Sequence, residues 1–124
     1  MSEWRQLCRG ADGIVIDGDG VNVMVANARC HRIGISETPE TYELTGIVAH
    51  PTQLDTIQEV PLRAWRRNRA MQLVGFRVDQ KGRLVGEAWV PKDGLDRDEF
   101  LLYVRRIAEE CDLFEFHLTG KDRE

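Results

Sequence analysis

The sequence lacks any apolar run that could cross a membrane, because its longest apolar stretches fall far short of the roughly 20 residues that a spanning helix needs. Its opening residues, MSEWRQLCRGAD, contain no apolar segment of the kind that forms a secretion signal. Cysteines number only 3, an odd count at wide spacing, which argues against a disulfide framework. These absences predict a cytoplasmic protein with reduced thiols and no membrane contact.

Neither sign of charge is in large excess. The chain has 17 Lys and Arg residues and 21 Asp and Glu residues, and the net charge of −4 gives it no general attraction for nucleic acid or anionic membranes. Hydrophobic residues make up 42% and charged residues 31%, the balance of a globular domain and not of a disordered chain. A length of 124 residues predicts one domain, spanning residues 1–124.

The spacing motifs of metal and catalytic sites are also missing. The sequence has no CxxC, HxxxH or HxH, so we expect no metal and no cofactor. DGDG at 17–20 resembles the opening of a calcium loop, but Val21 and Ala28 stand where that loop needs ligands, which favours a hairpin turn. Cys8 and Cys111 lie among apolar residues and are expected to be buried and unreactive. We therefore predict that the protein is not an enzyme; a Cys–His pair that meets only in space is the enzymatic alternative.

Apolar periodicity gives the order of the predicted elements. A short helix over 2–8 precedes strands on both sides of DGDG, and further strands follow around Ile33 and up to about His50. Residues 52–72 have a helical pattern, in two pieces because Glu59 and Pro61 mark a new start. Residues 73–91 form a hairpin around DQKG, and a last helix follows. The order of helix, three or four strands, helix, two strands, helix predicts an α+β fold, with an antiparallel sheet and helices on one face.

The last helix carries more apolar surface than one face can use. Asp96 is a suitable N-cap, with Glu99 three residues later to complete a capping box. The core-facing stripe consists of Phe100, Val104, Ile107, Ala108 and Cys111. Leu101, Leu102 and Tyr103 widen this stripe beyond the usual arc. Because monomers rarely leave large apolar patches bare, we predict that a second polypeptide covers these three side chains.

Four arginines and a tryptophan lie within residues 63–69: Arg63, Trp65, Arg66, Arg67 and Arg69. One interpretation is a nucleic-acid contact with Trp65 stacked on a base. A second is a solvated helix face with Trp65 turned into the core, and the acidic total charge favours it. A third, favoured over nucleic acid, is a dimer seam where the arginines meet acidic groups of a second copy, such as Glu109 or Asp112.

Residues 58–119 resemble the YbjN family, which belongs to the type III secretion chaperone-like group. The residues that carry the resemblance are Asn68 in a helix, then Phe76, Val78, Asp79, Gly82 and Leu84 in a hairpin, then Phe100, Val104, Ala108 and Asp112 in a closing helix. The resemblance implies a compact α+β domain, often a homodimer, without catalysis. Secretion chaperones of similar fold hold an extended client segment across apolar patches.

The sequence thus predicts a non-catalytic, chaperone-like protein-binding module. We expect a homodimer that holds a client polypeptide on a surface containing Trp65, Leu101, Leu102 and Tyr103. The alternatives are a nucleic-acid-binding protein that uses the arginines of 63–69, and a small immunity- or inhibitor-type partner protein.

Overall fold

The computed structural model describes residues 3–26, 29–70 and 73–119. Its elements, in chain order, are α1 (Glu3–Cys8), β1 (Ile14–Asp17), β2 (Gly20–Met24), β3 (Cys30–Glu37), β4 (Thr41–Ala49), α2 (Pro51–Leu54), α3 (Val60–Ala70), β5 (Gly75–Val78), β6 (Leu84–Pro91) and α4 (Arg97–Thr119). The order agrees with the predicted one, and the helical segment after β4 does fall into two pieces. Residue 2 of the predicted first helix lies outside the described residues.

The six strands form one antiparallel sheet in the order β1-β2-β3-β4-β6-β5. The helix α4 packs on β2, β3, β4 and β6, while α1 and α3 contact its flanks. Alternate residues of β4 and β6 face α4 and are buried: Tyr42, Leu44, Gly46, Val48, Leu84, Gly86, Ala88 and Val90. The predicted α+β fold, a sheet with its helices on one face, is confirmed.

The helix α4 begins at the predicted position. It extends beyond Cys111, the last residue of the predicted core-facing stripe. The Glu99 backbone N–H donates to Asp96 Oδ1 at 2.8 Å, and the Asp96 N–H donates to Glu99 Oε1 at 3.2 Å, which completes the capping box. The helix then continues to Thr119 and buries Phe114 and Leu118 beyond Cys111. A single helix of 23 residues therefore covers the sheet over about 34 Å.

Cys111 sits where α4 approaches the sheet most closely. A Cβ atom added to Gly46 would lie 2.9 Å from Cys111 Sγ, and one added to Gly86 would lie 2.7 Å from the same atom. The Cys111 thiol donates to the Gly46 carbonyl oxygen at 3.8 Å. The two glycines, paired across β4 and β6, thus make room for the helix.

The helix α3 closes one edge of the sheet. The Asn68 side-chain amide donates to the Phe76 carbonyl oxygen at 3.0 Å and accepts from the Phe76 N–H at 2.6 Å. These backbone groups belong to β5, an edge strand, and would otherwise be open to another strand. Asn68 is one of the residues that carry the family resemblance. Its side chain takes up the backbone hydrogen bonds that an additional strand would otherwise make with Phe76 at that edge.

Candidate protein-binding surface

The three apolar residues expected to be in excess on α4 have different environments. Leu102 is 50% exposed, whereas Leu101 is only 4% exposed and belongs to the core. Tyr103 is partly buried and packs against the core. The prediction that Leu101 needs a second polypeptide to cover it is wrong.

Leu101 is covered because α1 and the loop after it lie against its side of α4. One turn before Leu101, the Arg97 guanidinium donates to the carbonyl oxygens of Leu7 and Arg9, each at 3.0 Å. One turn after it, Arg105 donates to the Asp12 carbonyl oxygen at 3.2 Å. The sequence pattern gave no sign of this contact, because it joins segments about ninety residues apart.

An exposed stripe nevertheless runs along the solvent side of α4. It consists of Leu102, Arg106, Glu109, Leu113 and Phe116, which follow one another at spacings of four, three, four and three residues. Leu113 is 43% exposed and Phe116 41% exposed. We call this set the outer stripe of α4. The sequence predicted exposed apolar residues only at 101–103, near the start of α4. In the structure, two of the three apolar residues of the outer stripe, Leu113 and Phe116, lie in the C-terminal half of the helix.

A groove lies beside the C-terminal half of the outer stripe. Its walls are Leu113 and Phe116 on α4, and Val25 and Ala26 after β2; its volume is about 560 Å³, and its surface is mostly apolar. We call it the α4 groove. On the wall opposite the helix, Val25 is buried and forms the base, and Ala26 is exposed and forms the solvent-facing part.

An ion pair forms the polar end of the α4 groove. The Arg29 guanidinium donates through two nitrogens to the Asp112 carboxylate, and the side chains are only 12% and 13% exposed. His31 Nε2–H donates to the Ile47 carbonyl oxygen at 2.8 Å, which leaves Nδ1 facing Asp112 Oδ1 at 4.0 Å. The pair ties the segment after β2 to α4 across 83 positions of sequence. Val25, Ala26 and Arg29 were not predicted as site residues, because no local pattern in the sequence signals a contact over such a distance.

His31, Asp112 and Glu115 also offer ligand atoms that lie within 4.8 Å of one another. Arg29 already balances the charge of Asp112 at close range, and a cation placed there would have to displace it. We therefore interpret Asp112 as the ion-pair partner of Arg29, which links the segment after β2 to α4, and not as a metal ligand.

The arginine-rich segment lies on α3, and Trp65 is 56% exposed. Trp65 is therefore not turned into the core, contrary to the favoured interpretation. The Arg69 guanidinium lies over the Trp65 ring, 5.2 Å from its centroid. Arg63 and Arg66 are exposed as well, so these four side chains form one solvent-facing surface.

Two ion pairs within the chain bear on the predicted dimer seam. Arg67 is half-buried, where its guanidinium donates to Glu110 at 3.4 Å and to His117 Nδ1 at 2.9 Å. Asp112, proposed as an acceptor for the arginines of a second copy, is paired with Arg29 of the same chain. Asp112 is therefore withdrawn as an acceptor for a second copy, whereas Glu109 is exposed.

The thiols give a testable prediction about reactivity. Burial raises the pKa of Cys8 to about 11, against the opposing effect of Arg97 and Arg105, and burial raises the pKa of Cys111 to about 12. Since the thiolate is the reactive form, neither should react at neutral pH in the folded protein, whereas the exposed Cys30 should. Iodoacetamide treatment followed by mass spectrometry should show one modification in native protein and three in urea. Rapid modification of Cys8 or Cys111 in the folded state would contradict this.

Comparison with known proteins gives similarity of fold. No protein-family model matches the chain, and no curated protein matches its sequence. A chain in the crystal structure of the ExsC–ExsE complex is 14% identical, with a TM-score of 0.61 over 94% of this chain and 93% of that one. A chain in the structure of the HopA1–SchA chaperone–effector complex is 15% identical, with a TM-score of 0.57 over 95% of this chain and 94% of that one. Within the described ranges, no helix combines the length and apolar character that a membrane span requires.

Proposed function

We propose that the protein is a non-catalytic, chaperone-like binding module of the cytoplasm, which forms a homodimer and holds a segment of a client polypeptide in the α4 groove. The observation that carries the proposal is the groove itself, a concave and mostly apolar site bordered by the exposed Leu113 and Phe116. Similarity of fold to chains from the ExsC–ExsE complex and the HopA1–SchA chaperone–effector complex supports it.

The dimensions of the groove indicate what it would hold. Along α4 it extends from Glu109 to Phe116, a rise of about 10 Å, which matches roughly three residues of extended chain. Two apolar side chains of a client could contact Leu113 and Phe116 there. The exposed Glu109 at the rim favours a client with a basic residue beside its apolar anchors.

A peptide-display selection tests the proposal without knowledge of the client. A library of random and proteome-derived segments is selected on the wild-type protein, and the enriched peptides are then measured against two variants. Ala26→Glu places a carboxylate on the groove wall opposite the helix, and Leu113→Glu places one on α4. We expect each variant to weaken binding at least tenfold, because the peptide must then cover a buried charge.

The matched control is Leu62→Glu, an equally apolar and exposed position on α3. It should leave peptide affinity unchanged. Failure to enrich any peptide, or equal loss of affinity in the control, would overturn the α4 groove as the client site. An immunity- or inhibitor-type role would instead recognise a folded partner, and would give no short-peptide binder.

A second candidate function rests on the exposure of Trp65. Trp65 is 56% exposed beside Arg63 and Arg66, and Arg69 lies over its ring, so aromatic surface and positive charge lie together as a base-stacking contact with single-stranded nucleic acid would need. An electrophoretic shift assay with single-stranded DNA and RNA at low salt separates the two candidates. Binding that weakens steeply with salt and disappears in Trp65→Ala would support nucleic acid. No shift at low salt would remove this candidate.

A further inference from the structure

We propose that the sheet surface around Trp89 docks a basic polypeptide segment, with an arginine of that segment stacked on the Trp89 ring and its charge held by nearby carboxylates. This surface lies on the side of the sheet that faces away from α4, so the proposal goes beyond the α4 groove and its client. It rests on the exposure of Trp89 and on the charge of its surroundings.

Trp89 is the most exposed of the large apolar side chains in the described part of the chain, at 66%. Along β6 it alternates with Ala88 and Val90, which are buried against α4, so its side chain stands on the opposite side of the sheet. Pairing with β4 holds the backbone of this strand in place. A large ring on a rigid strand can add contact area to a partner at little cost in conformational entropy.

The carboxylates at this end of β4 and β6 make no ion pair among the described residues. Glu43 lies directly opposite Trp89 on β4, a position at which Cβ atoms are roughly 5 Å apart. Glu40 and Asp93 are exposed where the two strands end, and there the Lys92 N–H donates to the Glu40 carbonyl oxygen at 2.9 Å. This surface therefore attracts a cationic partner and repels phosphate.

The cations near Trp89 are already engaged within the chain. Lys92 Nζ lies 2.6 Å from Glu37 Oε2, and Arg77 donates to Glu87 at 2.7 Å. The remaining carboxylates are thus left for a partner to neutralise. The surface around Trp65 has the opposite character, because its exposed charges are arginines.

The other two tryptophans show which side chain suits an exposed indole in this protein. The Arg5 guanidinium lies over the Trp4 ring, 4.4 Å from its centroid. The Arg69 guanidinium lies over the Trp65 ring at 5.2 Å. Trp89 has no such contact with any residue that the structure describes, so its ring is open to an arginine from outside. Arginine suits the position better than lysine, since its planar guanidinium stacks on the ring and still presents donors to carboxylates.

A hollow beside Glu43 offers room for a second side chain. It lies between Glu43 and Asp19, over Gly34 and Thr45, and its volume is about 200 Å³. Small-molecule sites have volumes of roughly 300–1,000 Å³, so this hollow suits a single side chain better than a ligand. It lies over β3 and β4, about 10 Å from Trp89 across two strand spacings, which is roughly three residues of extended chain.

Fluorescence anisotropy at low salt tests the proposal with the labelled peptide GGRGGRGGRGG, which carries arginine at every third position. The protein should bind it more tightly than the lysine analogue GGKGGKGGKGG, and the glutamate analogue GGEGGEGGEGG should not bind. Trp89→Ala should weaken binding of the arginine peptide about fivefold, through loss of the stacked cation. Glu43→Lys should weaken it about tenfold, because it replaces an attraction with a repulsion.

Two variants serve as matched controls. Trp65→Ala removes the other exposed tryptophan, which is 56% exposed among arginines. Asp55→Lys makes the same change of net charge as Glu43→Lys at an exposed position at the end of α2. Both should leave the affinity for the arginine peptide unchanged. Circular dichroism confirms that each variant is folded.

The contrary outcomes are distinct. Absence of binding, or equal affinity for the arginine and lysine peptides, would overturn the stacking contact on Trp89. Equal losses in Asp55→Lys and Glu43→Lys would show attraction to the overall charge and would overturn the placement. None of these results touches the α4 groove: a peptide selected on the groove should lose affinity in Ala26→Glu and keep it in Glu43→Lys.

Discussion

A Gly86→Val variant should lose about 3 kcal/mol of unfolding free energy, the upper end of the usual cost of overpacking. A Cβ atom at Gly86 would lie 2.7 Å from Cys111 Sγ and 3.0 Å from Phe76 Cε1. Neither neighbour can withdraw easily: Cys111 is fully buried on the sheet-facing side of α4, and the Phe76 ring packs edge-on against Phe114 at 4.8 Å. The two outer atoms of valine would add further clashes. Urea unfolding followed by circular dichroism measures the loss.

Gly34→Val is the matched control, because a Cβ there meets nothing closer than the Thr45 carbonyl oxygen at 3.7 Å. Valine suits a strand, so this variant should stay within about 0.5 kcal/mol of the wild type. In a double-mutant cycle, Cys111→Ala should offset part of the cost of Gly86→Ala, since it removes the nearest clashing atom. Equal stabilities of Gly86→Val and Gly34→Val would contradict the close approach of α4 to the sheet.

An Asn68→Ala variant should lose about 2 kcal/mol of unfolding free energy and become prone to aggregate. The substitution removes two hydrogen bonds to Phe76, each contributing about 0.5–1.5 kcal/mol. It also opens the backbone N–H and C=O of Phe76 on an edge strand, where another chain can pair with them. Urea unfolding measures the first effect, and light scattering over a concentration series measures the second.

Asn22→Ala controls for the loss of an asparagine that makes a surface contact. The Asn22 amide donates to the Asp17 carboxylate at 3.3 Å in an exposed position, so its removal should cost less than about 0.5 kcal/mol without aggregation. If Asn68→Ala scatters no more light than Asn22→Ala, then Asn68 does not protect the edge of β5.

Much of the fold could be predicted because its signals are local. Asp96 and Glu99 stand at capping-box spacing, and they cap α4 in the structure. The DQKG turn forms as expected, with the Asp79 carboxylate accepting from the backbone N–H groups of Lys81 and Arg83. Gly82 takes the left-handed conformation there, with φ of 78°. Each signal lies within a few residues of the structure that it specifies.

The candidate site could be predicted only in part, because it depends on which segments meet in space. Leu102 and Trp65 are exposed as a binding role would require, but α1 covers Leu101. The wall of the α4 groove at Val25 and Ala26 was not predicted, since the Arg29–Asp112 pair that positions it joins distant parts of the chain. Helical periodicity tells which residues share a face of α4, but not which neighbours cover that face.

The length and position of α4 have a consequence for protein synthesis. All six strands precede α4 in the chain, yet this helix supplies Phe100, Val104, Ile107 and Cys111 to cover them. At 5–20 residues per second, a ribosome needs roughly one to five seconds to make a segment of this length. The apolar face of the strands has no covering helix until α4 has been made, so the core of the sheet can close only after this last helix is synthesised.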